Sequence, residues 1–243
     1  MSDLRELFDS ATCVLFDFDG PVCRLFAGYP AEGVAADLVG RLRGQGREGL
    51  LTEDEARSDD PHAVLRAVAL TAPGSGFLAE LEAELTRHEL LATETADPTP
   101  AADELIHDLQ LRGYGLAITT NNSASVVERY LTGHGLVDCF GHHIHGRTQD
   151  LLRLKPDPDC LLRALDSTRV VAERALMIGD TPADCIAARK AGVAFVGYAR
   201  NEAKRDLLLS AGATTVVASM GLVLDVVVRK QGGTGGGMSV NRC

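Results

Sequence analysis

Short apolar runs without polar alternation recur along the chain and constrain its fold more than any other feature. The runs are CVLF (13–16), GLAIT (115–119), ALMI (175–178), VAFVG (193–197) and TTVVA (214–218). Continuous hydrophobicity of this length is typical of parallel strands that are covered on both faces. Segments with helical periodicity separate most of the runs, which predicts an α/β fold built on a parallel sheet with right-handed crossovers.

Two of the intervening helices have clear end signals. The segment 181–192 begins with Thr181, a hydroxyl cap, followed by proline at the first helical position, and it stops at Gly192, which can adopt a left-handed conformation. The segment 99–113 follows the same pattern, so we predict a helix that starts at Thr99-Pro100. In such a fold the ligand site lies outside the carboxyl ends of the strands.

Residues 25–97 contain helical patterns and no convincing strand. Phe77, Leu78, Leu81 and Leu85 fall on one face of a predicted helix, and glutamates occupy the remaining faces. We therefore predict a core formed by residues 1–24 and 98–230, with a helical lobe inserted over 25–97. Residues 231–243 contain GGTGGG and little that could pack, which predicts a disordered tail.

The charge balance limits the classes of ligand. The 243 residues include 34 acidic and 24 basic side chains, a formal net charge of −10 that repels phosphate backbones and anionic lipid surfaces. We expect no nucleic-acid partner and no membrane partner. The N-terminus has no secretion signal, no apolar run could span a bilayer, and the 6 cysteines form no CxxC pair, so we expect a cytoplasmic protein with reduced thiols.

Side chains that can take part in catalysis or metal binding follow three of the predicted strands. Asp17 and Asp19 come after the first strand, Thr120 after the second and Asp180 after the third. Residues two apart on an extended chain point to the same side, so the carboxylates of Asp17 and Asp19 repel one another unless a cation intervenes. Mg²⁺ prefers oxygen ligands of this kind, and Asp180 with Asp184 can supply more of them. The sequence therefore predicts a magnesium site at this edge of the sheet.

Lys155 is the cationic side chain expected beside this site. Pro156 follows it and keeps its backbone out of the helical region, which favours an extended approach of the ammonium group. Phosphoryl transfer depends mainly on positioning and on positive charge around the equatorial oxygens, which a metal ion, Lys155 and the Thr120 hydroxyl can provide together. Asn121, next to Thr120, is predicted as a supporting residue of the same substrate site.

Taken in order, the motifs FDFDG, AITTN, LKPDP and IGDTPAD resemble those of the haloacid dehalogenase (HAD) superfamily, and the likeness covers nearly the whole chain except the tail. The large insertion between the first two motifs is similar to the helical-cap branch, which includes phosphoglycolate-phosphatase-like and phosphoglucomutase-like enzymes. The resemblance implies a Rossmann-like core and a Mg²⁺-dependent phosphatase that acts on a small-molecule phosphate monoester through an aspartyl phosphate.

The resemblance also gives the strand-end residues their roles, which are nucleophile for Asp17, general acid and base for Asp19, phosphoryl contacts for Thr120 and Lys155, and Mg²⁺ ligands for Asp17, the Asp19 carbonyl, Asp180 and Asp184. Dehalogenase members lack an acid at the position of Asp19, so this residue favours phosphate esters. One departure from the family pattern is Pro21, where threonine is usual.

Two other functions stay open at this point: a phosphomutase of the β-phosphoglucomutase type, and a binding protein that kept the fold without turnover. The identity of the ester is also open, because lobe side chains would contact the leaving group and no motif fixes them. The basic candidates in or near the lobe are Arg24, Arg47, His62 and Arg66. The sequence gives no indication of the oligomeric state.

Overall fold

The structure is a computed structural model that describes residues 2–229 of the chain. The predicted disordered tail at 231–243 lies outside the described residues. The strands are β1 (Cys13–Phe16), β2 (Cys23–Arg24), β3 (Asp97–Pro98), β4 (Gly115–Thr119), β5 (Ile144–His145), β6 (Ala175–Gly179), β7 (Ala194–Tyr198) and β8 (Val216–Val217). The α-helices are α1 (Ser2–Ser10), α2 (Ala31–Gly44), α3 (Pro61–Thr71), α4 (Gly76–Ala92), α5 (Ala102–Leu111), α6 (Ala124–Gly133), α7 (Val137–Phe140), α8 (Asp159–Thr168), α9 (Pro182–Ala191), α10 (Glu202–Ser210) and α11 (Met220–Val228). Single 3-10 turns lie at Glu48–Leu50, Glu55–Arg57, Leu151–Arg153 and Ala172–Arg174.

The main sheet has the strand order β5-β4-β1-β6-β7-β8, and its strands pair in parallel. Alternate residues of β1 belong to different apolar clusters. Val14 and Phe16 pack with residues of α1, α5, α6 and α11, whereas Cys13 and Leu15 pack with residues of α8 and α9. Burial on both faces explains the uninterrupted apolar runs and confirms the predicted α/β fold. Because β1 lies between β4 and β6, Asp17 emerges near the centre of the carboxyl edge of the sheet.

The predicted helix at 181–192 is confirmed. α9 runs from Pro182 to Ala191, the Thr181 hydroxyl accepts a hydrogen bond from the backbone N–H of Asp184, and Gly192 ends the helix with φ of 73°. The second predicted helix starts later than expected, at Ala102. Thr99 is not its cap, because its hydroxyl instead donates to the carbonyl oxygen of Gly20 in the loop that follows β1.

Helices α2, α3 and α4 form a separate apolar cluster and are called the cap below. Phe77, Leu78, Leu81 and Leu85 are buried in that cluster, as predicted from their spacing. The cap helices lie within residues 25–97, and the precise domain boundaries stay a prediction. The short antiparallel pair β2–β3 at the cap entrance and exit was not predicted, since two residues per strand leave no readable pattern. Nor was β5, which carries isoleucine and histidine instead of an apolar run.

None of the helices in residues 2–229 has the length and apolar character needed to cross a membrane.

Candidate active site

A cavity of about 290 Å³ lies between the cap and the carboxyl edge of the sheet. It is lined by the residues that the sequence predicted as catalytic, substrate-binding or metal-binding, namely Asp17, Asp19, Thr120, Asn121, Lys155, Asp180 and Asp184. Among the basic candidates near the cap, Arg24, His62 and Arg66 also line the cavity. Arg47 does not, because its guanidinium lies 4.9 Å from the centre of the Phe77 ring. The volume suits a small molecule and not a polymer.

Asp17 and Lys155 form a buried ion pair at the floor of this cavity. The Lys155 ammonium donates to Asp17 Oδ1 over 2.8 Å and to the Thr119 carbonyl over 2.9 Å, and it lies 2.6 Å from Asp184 Oδ1. Burial and repulsion by Asp184 raise the pKa of Asp17 to about 7, against the lowering effect of Lys155. Burial alone would lower the pKa of Lys155, but Asp17 and Asp184 raise it above its ordinary value. The lysine therefore carries its charge at neutral pH.

Asp19 shares the cavity with Asp17, while Phe18 between them is fully buried in the core. Asp19 Oδ1 accepts a hydrogen bond from the backbone N–H of Leu25 over 2.9 Å. Burial raises the pKa of Asp19 to about 6, with the Leu25 N–H opposing the shift and the charge of Asp17 adding to it. A carboxyl group with this pKa can both give and take a proton near neutrality.

Asp17, Asp180 and Asp184 fit a hard divalent cation. Each offers a carboxylate oxygen, and these oxygens lie within 4.8 Å of one another. Asp180 Oδ1 is buried and has no hydrogen-bond partner among the described residues. Burial raises the pKa of Asp180 to about 6, with Lys204 opposing the shift and Asp184 adding to it. Such a group of oxygens matches the ligands that Mg²⁺ takes, and a cation would relieve the repulsion among them.

The start of α9 holds Asp184 in place. Its Oδ2 accepts hydrogen bonds from the backbone N–H groups of Asp180 and Thr181 over 3.1 and 3.0 Å, and from the Thr181 hydroxyl over 2.7 Å. These three bonds use one oxygen of the carboxylate. Asp184 thus completes the helix cap with Oδ2 and faces the Lys155 ammonium with Oδ1.

Thr120 and Asn121 differ in what they contact. The Thr120 hydroxyl accepts from the backbone N–H of Asn122 over 3.2 Å and donates to Asn122 Oδ1 over 3.0 Å. Both amide atoms of Asn121 bind the backbone of Lys155, with Oδ1 accepting from its N–H over 2.7 Å and Nδ2 donating to its carbonyl over 3.3 Å. Asn121 therefore positions Lys155, and its direct contact with substrate stays a prediction.

Sequence reasoning missed Lys204 and Arg200. Both line the cavity, and the Lys204 ammonium forms an ion pair with Asp180 Oδ2. They follow β7, and no motif marks them. The available signal was positional, because the carboxyl end of every parallel strand in a sheet meets the same edge.

The chain is similar in sequence to known hydrolases. A model of the haloacid dehalogenase-like hydrolase family matches residues 75–198. A phosphoglycolate phosphatase of Rhodospirillum rubrum is 32% identical over 210 residues, which cover 77% of this chain and 80% of that protein. A phosphoglycolate phosphatase of Vibrio cholerae is 29% identical over 230 residues, covering 90% and 98%. A validoxylamine A 7′-phosphate phosphatase of Streptomyces hygroscopicus is 27% identical over 197 residues, covering 79% and 78%.

Solved structures share the fold. A haloacid dehalogenase-like hydrolase of Streptococcus pneumoniae superimposes with a TM-score of 0.64 at 19% identity, covering 92% of this chain and 100% of that one. CbbY of Rhodobacter sphaeroides, in complex with phosphate, gives a TM-score of 0.62 at 22% identity, covering 86% and 94%. Both similarities extend over the cap as well as the sheet.

Proposed function

Since the chain belongs to the haloacid dehalogenase-like hydrolase family and is a phosphoric monoester hydrolase, we propose that it hydrolyses a small phosphate monoester in two steps through an aspartyl phosphate on Asp17. The observation that carries the proposal is that four carboxylates and a buried lysine converge on one small cavity, with three of the carboxylates clustered closely enough to hold a metal ion. Splitting the hydrolysis into two displacements replaces one difficult step with two easier ones.

In the first step Asp17 attacks the phosphorus atom. Its Oδ1 already accepts hydrogen bonds from the Phe18 N–H and from Lys155, both over 2.8 Å. These contacts fix the carboxylate and leave Oδ2 as the attacking oxygen. The ester bond breaks as the Oδ2–phosphorus bond forms, and the electron pair goes to the leaving oxygen.

Asp19 supplies and recovers the proton. In its neutral form it protonates the leaving oxygen, so that an alcohol departs. In the second step the resulting carboxylate accepts a proton from the water that attacks the aspartyl phosphate, which releases inorganic phosphate and regenerates Asp17. A pKa raised to about 6 by burial serves both directions.

Lys155 and the Thr120 hydroxyl hold the transferred phosphoryl group between them. Mg²⁺ held by Asp17, Asp180, Asp184 and the Asp19 carbonyl would neutralise charge on the phosphoryl oxygens. Asn121 keeps Lys155 in place through the two bonds to its backbone.

We propose that the leaving group of the ester carries a carboxylate, and phosphoglycolate is the first such ester to test. Arg66 lines the cavity from the cap and uses Nη1 to bind the Lys155 carbonyl over 3.1 Å, and Arg200 adds a second guanidinium on the core side. Two guanidinium groups beside the phosphoryl site are suited to a carboxylate. Two of the relatives are phosphatases of this ester.

The test is Mg²⁺-dependent release of phosphate from phosphoglycolate and from p-nitrophenyl phosphate. We expect both activities in the wild type, and in Asp17→Asn a loss of kcat by at least about 10³, or roughly 4 kcal/mol of barrier. Wild-type rates in Asp17→Asn would contradict the aspartyl phosphate. With a sugar phosphate as the substrate, formation of an isomeric sugar phosphate without release of inorganic phosphate would instead indicate a phosphomutase.

A further inference from the structure

Glu89, in the last turns of cap helix α4, is a fully buried carboxylate that reaches across to the core. Its Oε1 accepts from Asn122 Nδ2 over 2.8 Å, and its Oε2 accepts from the backbone N–H of Ser123 over 3.3 Å. Arg147 Nη1 donates to both oxygens over 2.8 Å, and His62 Nε2 lies 3.1 Å from Oε1. The carboxylate thus has partners on the cap and on the core.

This carboxylate stays ionised. Burial would raise the pKa of Glu89, but the charge of Arg147 and the bonds from His62 and Arg147 lower it to about 2. An ionised carboxylate can only accept hydrogen bonds. Its neighbour Asn122 must therefore turn Nδ2 toward Glu89, and the other amide atom, Oδ1, then faces the hydroxyl of Thr120 over 3.0 Å.

From this geometry we infer that Glu89 is a positioning residue: docked against the core, it orients the Asn122 amide and through it the phosphoryl-binding hydroxyl of Thr120. The inference rests on the proposed phosphatase function, in which Thr120 contacts the phosphoryl group. The Asn122 backbone N–H and Oδ1 together fix the position of the Thr120 oxygen. When substrate binds, the hydroxyl proton would turn from Asn122 Oδ1 to a phosphoryl oxygen. Glutamine at position 89 can donate as well as accept, so it no longer selects one orientation of the Asn122 amide.

A substitution of Glu89 need not unfold the chain. Arg147 would keep two other partners on α4, since its Nε lies 2.7 Å from Glu82 Oε1 and its Nη2 donates to the Thr86 hydroxyl. Glu82 supplies the matched control. It lies on the same helix and binds the same arginine, but within residues 2–229 its hydrogen bonds go to Thr86 and Arg147 and not to Asn122 or Thr120.

The experiment is a double-mutant cycle on kcat/KM for p-nitrophenyl phosphate with Mg²⁺, using Glu89→Gln and Thr120→Val, each variant checked by thermal unfolding. We expect Glu89→Gln to lower kcat/KM by about tenfold to a hundredfold in the wild type, the range expected for a misplaced catalytic group. In the Thr120→Val background the same change should alter kcat/KM by less than about twofold, because the hydroxyl it positions is gone. Glu82→Gln should leave kcat/KM within about twofold in both backgrounds.

Equal losses from Glu89→Gln in both backgrounds, or no loss in the wild type, would overturn the inference. So would a loss in Glu82→Gln as large as that in Glu89→Gln, since the effect would then come from cap stability. Failure of the proposed function looks different, because the wild type itself would release no phosphate or Asp17→Asn would remain active.

Discussion

Gly20 follows Asp19 with φ of 115°, a backbone conformation that other residues rarely adopt. A Cβ added there would lie 2.4 Å from Cγ of Asp180, so the glycine also makes room for a predicted metal ligand. The loop after β1 and the carboxylate cluster can approach each other because this position has no side chain.

Gly20→Ala is expected to lower kcat on the order of a hundredfold, because the methyl group displaces Asp180 and the backbone must leave its left-handed region. Steady-state kinetics at saturating Mg²⁺ checks this. Gly113→Ala is the matched control, since Gly113 has φ of 79° with nothing within 4 Å of the added Cβ. It should lose about 1 kcal/mol of stability and keep its kcat. Similar kinetics in the two variants would refute the steric argument.

Arg66→Gln should raise KM for phosphoglycolate by about tenfold, roughly 1.4 kcal/mol, and change KM for p-nitrophenyl phosphate much less. The reason is that Arg66 is proposed to bind the carboxylate of the leaving group, which the nitrophenyl ester lacks. Arg47→Gln, on the cap but outside the cavity, controls for the loss of one positive charge. An equal rise in KM for both esters would assign Arg66 to the phosphoryl group or to cap docking.

The strand-end carboxylates were predictable because their signal is local: an apolar run followed by an acid fixes both the strand and the edge at which the acid lies. Glu89 and Arg147 could not be predicted in this way. In the sequence Glu89 is one of several glutamates on α4, and only the packing of α4 against the core shows that this one is buried while Glu80 is exposed.

The first turn of α9 contains Asp184, which belongs both to the helix cap and to the carboxylate cluster. The Thr181 hydroxyl accepts from the Asp184 N–H and donates to Asp184 Oδ2, so one side chain stabilises the helix and orients a predicted metal ligand. The proline at the first helical position supports the same start.

Thr181→Ala is expected to cost about 1 kcal/mol of stability and to raise the Mg²⁺ concentration for half-maximal activity by about tenfold. Urea unfolding and Mg²⁺ titration measure the two effects. Ser219→Ala removes an equivalent cap from α11, where the hydroxyl accepts from the Leu222 N–H, away from the cavity. It should show the stability loss with an unchanged Mg²⁺ midpoint. Equal midpoints in both variants would mean that Thr181 acts only as a cap.

Caps formed by neighbouring residues, as at α9, could be predicted from the sequence, whereas the start of α5 could not. Thr99 and Pro100 have the composition of a helix start, yet the Thr99 hydroxyl binds the Gly20 carbonyl, 79 residues away. A long-range partner of this kind competes with the local cap and leaves no trace in the sequence around it.

Across the whole molecule, buried charges join the cap to the core. Arg147 of the core pairs with Glu82 and Glu89 of the cap, and Glu89 also lies 3.1 Å from His62 within the cap. Separation of cap and core would break the buried ion pair between Arg147 and Glu89. These ion pairs thus join the cap to the core in addition to the two chain connections, which pair with each other as β2 and β3.

The pH dependence of stability follows from His62. Burial lowers its pKa, but the carboxylates of Asp60 and Glu89 beside the ring outweigh burial and raise the pKa to about 9. A histidine whose pKa is raised by folding stabilises the folded state. Its full contribution to the free energy of unfolding is present below the pKa of histidine in the unfolded chain, about 6.5, and is lost as the pH rises through the folded-state pKa of about 9. The free energy of unfolding should therefore fall between these pH values by at most about 3 kcal/mol.

His62→Gln removes the titrating group and should flatten this fall, while groups common to both proteins, including the cysteines, affect both curves alike. Urea unfolding at fixed ionic strength between pH 6.5 and 9 measures the difference. Parallel curves for wild type and variant would show that His62 does not hold its proton between Asp60 and Glu89. Convergence of the two stability curves toward pH 9 would support a His62 that is charged at neutral pH. Because His62 lines the cavity from the cap, its positive charge would favour an anionic substrate.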